Sequence, residues 1–146
     1  MRFYLIIVLS TLLFSSSIQL PMGVLKLNIS NIGHSYGTLW IGVYSTADSF
    51  LEKENALLFS VKDPKKYKEA IVINNLNYGD YAIALFHDLN NNGTLDVNWL
   101  GIPIEPYAFS KPLSSKWKIP SFWDVKINLY QSQKTINTKL NTWWEQ

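Results

Sequence analysis

Val24-Leu25-Lys26-Leu27-Asn28-Ile29-Ser30 alternates apolar with polar side chains. Successive side chains of an extended strand point to opposite faces, so this period of two predicts a half-buried β-strand. Asn31 to Gly37, with two glycines, reads as the turn that follows. Thr38-Leu39-Trp40-Ile41-Gly42-Val43-Tyr44 is a second strand, and its apolar run predicts burial on both faces or one exposed aromatic face. Ala70-Ile71-Val72-Ile73 is β-branched and strand-like. In Leu76-Asn77-Tyr78-Gly79-Asp80-Tyr81, Gly79 permits a tight turn. Tyr81 to His87 follows as a strand in which small Ala82 and Ala84 alternate with Tyr81, Ile83 and Leu85, which predicts one face packed closely on a neighbour. Alternation of Val125, Ile127 and Leu129 predicts a strand over Asp124–Tyr130. Ile136, Thr138 and Leu140 predict another over Thr135–Leu140. Ala47 to Leu58, which Asp48 could cap, is the only plausible helix, and it is too short to be more than a decorated loop. No long helical pattern separates the strands, which argues against a parallel α/β sheet. The expected fold is all-β, an antiparallel β-sandwich of about seven strands.

Composition sets the class. The 146 residues suit one domain, and 47% hydrophobic content supplies a core. Charged residues are 16%, too few for a disordered tail protein. The net charge of +2 falls to +1 without Arg2 (12 basic against 11 acidic), too even for nucleic-acid binding. Lys65-Lys66, beside Lys62 and Lys68, reads as a solvated loop. Met1-Arg2, the apolar stretch Phe3 to Leu13 and Ser15-Ser16-Ser17 have the outline of a secretory signal peptide. That stretch is shorter than the roughly 20 residues a spanning helix needs. The expectation is a signal peptide over 1–17 and a single domain over 18–146, exported to the periplasm or the medium, with no transmembrane segment in the mature part. Cysteine is absent, so stability has to come from the core, with a metal as a possible addition.

The chemistry concentrates in Asp88-Leu89-Asn90-Asn91-Asn92-Gly93-Thr94-Leu95-Asp96. Oxygen-bearing side chains fall at loop positions one, three, five and nine, with Gly at six. Calcium takes six to eight oxygen ligands, and a tight loop turns alternate side chains inward around it. Asp88, Asn90, Asn92 and Asp96 would supply side-chain oxygens, and Thr94 a backbone carbonyl. Position twelve is Trp99, which offers no bidentate carboxylate, and no flanking helices are visible, so this is not an EF-hand. A calcium-binding β-loop would be completed by Asn98, by Glu105 folding back, or by water. With mostly neutral ligands its Kd would be about 10⁻⁴ to 10⁻³ M. The competing reading is an Asx-rich turn held by its own side-chain-to-backbone hydrogen bonds.

Three motifs carry a resemblance. Phe86-His87-Asp88-Leu89-Asn90-Asn91-Asn92-Gly93-Thr94-Leu95-Asp96, then Gly101-Ile102-Pro103-Ile104-Glu105-Pro106-Tyr107-Ala108-Phe109-Ser110, then Pro120-Ser121-Phe122-Trp123-Asp124 resemble the exported bacterial domain of unknown function 2141 family. The resemblance runs from about Gly23 to Leu140. Ala108 stands where the family has Gly, and Leu89 where it often has Glu. The resemblance implies an immunoglobulin-like or transthyretin-like sandwich and no known activity.

Other constellations carry less. His34 and His87 are the only histidines and cysteine is absent, so zinc is not expected. Adjacent His87 and Asp88 on a strand face opposite ways, so a triad with Ser110 is not expected, and His87 reads as a strand-end side chain bonded to loop backbone. Glu105 with Asp96 or Asp124 would be the only glycosidase-like carboxylate pair, and nothing places them together. Of the six tryptophans, most are expected as core or loop anchors, with Trp143 and Trp144 docking on the sandwich edge or marking a partner surface. The functional expectation is a non-enzymatic exported binding or structural module, calcium-stabilised at Asp88–Asp96, with an unknown protein or glycan partner. The alternative is a carbohydrate-binding module using exposed aromatics.

Overall fold

A computed structural model describes residues 20–62, 64 and 70–145. The signal peptide expected over 1–17 and the solvated Lys65-Lys66 loop lie outside the described residues. The described chain is mostly β, with eight strands. These are β1 (Met22–Ser30), β2 (Thr38–Tyr44), β3 (Leu57–Lys62), β4 (Ile71–Asn77), β5 (Gly79–Asp88), β6 (Tyr107–Phe109), β7 (Ile127–Leu129) and β8 (Gln133–Lys139). They form two sheets. One has the order β4-β1-β8, and the other runs β3-β2-β5-β6, with β7 also on β5.

The period-two reading of β1 holds: Leu25 and Leu27 are 0% and 1% exposed, whereas Asn28 and Ser30 face solvent. Leu25, Leu27, Ile73 and Ile136 of one sheet meet Leu39, Ile41, Ile83 and Leu85 of the other in a single core. Each fully buried aliphatic side chain contributes about 2 kcal/mol to that packing. The opposite face of β5 is covered differently. Small Ala82 admits a second cluster of Phe122 and Val125, flanked by Phe50, Phe109 and Leu113.

Three departures from the sequence reading have physical causes. First, β8 runs parallel to β1, with Leu27 opposite Ile136, so the sandwich is not purely antiparallel. Second, Asp124–Tyr130 is not one strand. Phe122–Val125 forms a helical turn, α1, and only Ile127–Leu129 is extended. Both the N–H (2.8 Å) and the hydroxyl (2.8 Å) of Ser121 donate to the Asp124 carboxylate, which closes a capping box and starts the turn. Third, the region read as a decorated loop contains a 3₁₀ turn at Lys53–Asn55 and then β3. This edge strand buries only parts of Phe59 and Val61, so it has little hydrophobic signature.

The edge of β5 not taken by β2 is shared end to end by β6, opposite Ala84–Phe86, and β7, opposite Gly79–Tyr81. Ser110 fills the join: its hydroxyl oxygen accepts Ile83 N–H at 3.0 Å, and the hydroxyl donates to Val125 C=O at 2.6 Å. A buried strand amide left without a partner would cost about 1–3 kcal/mol, and Ser110 removes that cost. No helix among the described residues is long and apolar enough to cross a membrane.

Candidate metal centre

Alternation along β5 sends its last two side chains to opposite faces. His87 lies on the core side with Leu85 and is fully buried, its Nε2 at 2.8 Å from the Tyr36 carbonyl. The ring is thus bonded to loop backbone, as the sequence suggested. Its Nδ1 is buried with no hydrogen-bond partner. Ser110 is committed to Ile83 and Val125, so His87, Asp88 and Ser110 are not assembled into a triad.

Asp88 faces away from the core and is nevertheless 0% exposed, because the loop it starts folds back over it. Its Oδ1 accepts the Asn92 backbone N–H at 3.1 Å. Its Oδ2 accepts Gly93 N–H at 2.8 Å and the Trp40 indole N–H at 3.1 Å. Gly93 has φ +82, the left-handed conformation that the bend requires and that glycine adopts without strain. A second buried carboxylate closes the other side. Glu105, 4% exposed, accepts Leu89 N–H at 2.7 Å and Asp96 N–H at 3.1 Å. The chain reaches Glu105 by doubling back, with Val97 bridged to Pro103 and Ile104 N–H donated to Asp96 C=O at 3.0 Å. Charge-assisted bonds of this kind contribute about 1.5–3 kcal/mol each. Asp88 therefore holds the middle of the loop, and Glu105 clamps its two ends at Leu89 and Asp96.

At the outer surface three predicted ligands meet. Asn90 donates an amide N–H to Asp96 Oδ2 at 2.6 Å, and Asn92 donates one to Asp96 Oδ1 at 2.9 Å. The amide oxygen of Asn90 accepts Asn92 N–H at 3.1 Å, and that of Asn92 accepts the Thr94 N–H and hydroxyl, both at 2.9 Å. Thus Asn90, Asn92, Thr94 and Asp96 form one contiguous polar group, while Asp88 and Glu105 lie beneath it with their oxygens turned to backbone amides. Among the described residues no three acidic or histidine side chains converge on one point. Asn98 is spent on its own turn, its side-chain oxygen accepting Leu100 and Ile102 N–H at 2.9 and 3.1 Å. Trp99 at position twelve is 89% exposed.

Several supports were not legible in the sequence. The Thr38 hydroxyl bonds the Asn91 side chain at 2.7 Å, and Lys53 Nζ donates to Gly93 C=O at 2.7 Å while lying 4.7 Å from the Trp40 ring. Gly37, at φ +84, lets the 31–37 loop come so close that an added Cβ would stand 2.5 Å from Asp88 C=O. Each of these contacts joins the loop to a distant segment, and no local motif announces such a partner. The tryptophans also differ from expectation. Trp143 is buried and Trp40 half-buried, but Trp99, Trp117, Trp123 and Trp144 are 63–89% exposed, because they stand on loops and short turns rather than on core faces of strands.

The bacterial family described as "Uncharacterized protein conserved in bacteria (DUF2141)" matches residues 27–137. No curated protein and no solved structure matches the chain.

Proposed function

Since the chain belongs to the DUF2141 family of uncharacterized bacterial proteins, we propose that it is an exported, non-enzymatic binding or structural module whose 88–96 loop takes up a calcium ion. The observation that carries this reading is the meeting of Asn90 and Asn92 with the two oxygens of Asp96, at 2.6 and 2.9 Å, on a base fixed by two buried carboxylates. Amide N–H groups of Asn90 and Asn92 stand against Asp96 where a cation would bind. A half-turn of each side-chain amide puts an oxygen in place of the nitrogen, giving up the bonds those oxygens accept from Asn92 N–H and Thr94 in exchange for ligation of the ion. Thr94 C=O and water would add further oxygens. No Lys, Arg or His among the described residues forms an ion pair with Asp88, Asp96 or Glu105, whereas Asp80 pairs with Lys126. Negative charge that is hydrogen-bonded but has no cationic partner, under an oxygen-rich rim, favours a hard cation.

The finer fold type follows the family resemblance, an immunoglobulin-like or transthyretin-like sandwich into which the parallel β1–β8 pair has to fit. Export to the periplasm or medium follows the apolar N-terminal stretch Phe3–Leu13. Calcium that binds only the folded chain raises its stability by mass action, by about 1.4 kcal/mol at ten times Kd. Thermal melting in millimolar calcium and in chelator tests this: a higher Tm in calcium, absent in Asp96→Asn, is expected, and coincident transitions would refute it.

A second reading, carbohydrate binding, is favoured by Trp99, whose indole is 89% exposed on a turn braced by Asn98. Quenching of Trp fluorescence by oligosaccharides, lost in Trp99→Ala, separates the two.

A further inference from the structure

The segment Lys111-Pro112-Leu113-Ser114-Ser115-Lys116-Trp117-Lys118-Ile119-Pro120 holds three lysines and no acidic residue. Trp117 and Ile119 are 78% and 77% exposed, and Trp144 from the C-terminal turn is 76% exposed. Their common base is Trp143, which is buried. Trp117 and Trp144 each stand edge-on to it, with ring centres 4.8 Å apart in both pairs. The base is fixed from the lysine segment itself: Trp143 donates its indole N–H to Lys116 C=O at 3.2 Å, and Lys116 Nζ lies 4.5 Å from the Trp143 ring. Two exposed indoles are thereby held in water on one buried ring, with the Lys116 ammonium over that ring and exposed Ile119 two residues beyond Trp117 in the chain. The two neighbouring acids, Asp124 and Glu145, are held ionised by the hydrogen bonds they accept from Ser121 and Thr142, so the three lysines set against these two acids leave a net charge of +1 on this surface.

We propose that this surface docks on an anionic phospholipid bilayer. Indoles settle at headgroup depth, aliphatic side chains enter below them, and lysines near the surface are drawn to anionic headgroups. The aliphatic Ile119 decides against a sugar as occupant, because it offers no flat face for a pyranose ring, whereas acyl chains accept it. Charge complementarity selects acidic lipid over neutral lipid. This surface is separate from the Asp88–Asp96 loop, and its function does not depend on calcium there.

Sedimentation of the whole chain with phosphatidylcholine vesicles, with and without an equal part of phosphatidylglycerol, tests the proposal. The apolar Phe3–Leu13 stretch contributes alike to the parent and its variants, so the differences between them are what is read. Stronger partition onto the phosphatidylglycerol vesicles, weakened by salt, is expected. Lys111→Glu with Lys118→Glu lowers that partition about ten-fold or more. Trp117→Ala with Ile119→Ser lowers it comparably. The lysine variant and Ile119→Ser alone, which leaves the Trp117–Trp143 contact in place, keep the parent Tm, and Ile119→Ser alone also lowers partition. Equal partition of parent and variants, or of acidic and neutral vesicles, overturns the proposal. So does binding to dextran sulfate without binding to vesicles, which would assign the surface to a polyanionic glycan instead.

Discussion

Oδ2 of Asp88 accepts the backbone N–H of Gly93 at 2.8 Å, tying the end of β5 to the bend of the loop that leaves it. With Asn92 N–H and the Trp40 indole on the same carboxylate, the loop has an internal anchor that does not need a metal. This separates two roles that the sequence motif merges. Asp88 and Glu105 shape the loop, and Asn90, Asn92 and Asp96 face outward, where the proposed ion would bind.

Asp88→Ala leaves the Gly93 N–H and the Trp40 indole N–H without an acceptor in a partly buried position, while the Asn92 N–H keeps the Asn90 amide oxygen. It should cost about 3 kcal/mol or more by urea unfolding, with or without calcium. Asp96→Ala, at the rim, should cost less than about 1 kcal/mol in chelator and abolish the calcium response. Equal losses in the two variants would contradict the division of roles.

Ser110→Ala strands the Ile83 N–H between β6 and β7. A loss of about 1–3 kcal/mol is expected, with faster hydrogen exchange at the Ile83 amide. Exchange unchanged at Ile83 would show that the join of the two strands does not depend on this hydroxyl.

Gly37→Ala should destabilise more than Gly93→Ala. Both sites have positive φ, which costs an alanine about 1 kcal/mol, but at Gly37 the new methyl would also meet Asp88 C=O at 2.5 Å. At Gly93 the nearest atom is the mobile end of Lys53, at 3.6 Å. Denaturation midpoints of the two variants rank these costs.

Asp124 titrates below its ordinary value of 3.8, first because the Ser121 backbone N–H holds the ionised form, then because the Ser121 hydroxyl does so too. A carboxyl lowered on folding contributes stability that is full above the unfolded value and is lost as pH falls through the folded one. The α1 capping box should therefore persist through mildly acidic pH and open only below 3.8. Carboxyl carbon shifts followed by NMR should show this, and Ser121→Ala should return the midpoint toward the ordinary value.

Legibility in the sequence followed the strength of local periodicity. Leu25 and Leu27 revealed β1, and Ile83 and Leu85 revealed β5, because each strand has one core face. The edge strand β3 buries little, so Leu57–Lys62 carried no comparable pattern. Ser121-x-x-Asp124 is a capping signal that could have revealed α1, but the alternation of Val125, Ile127 and Leu129 outweighed it. The direction of β8 is written in no local feature, since strand partners are chosen by distant residues. At the site, the Asx spacing and Gly93 were legible; Glu105, one of three groups expected to complete a calcium site, reaches the loop but bonds the Leu89 and Asp96 amides. That Asp88 and Glu105 spend their oxygens on backbone amides was not legible, because burial depends on Trp40, Thr38 and Lys53 arriving from elsewhere.

The most direct test is a calcium titration followed through the side-chain NH₂ resonances of Asn90 and Asn92. Ion uptake at the rim requires both amides to turn away from Asp96. Both pairs should therefore move together and saturate with a Kd of about 10⁻⁴ to 10⁻³ M, and neither should move in Asp96→Asn. Resonances that stay fixed through a large excess of calcium would leave the 88–96 segment as a self-bonded turn and contradict the metal reading.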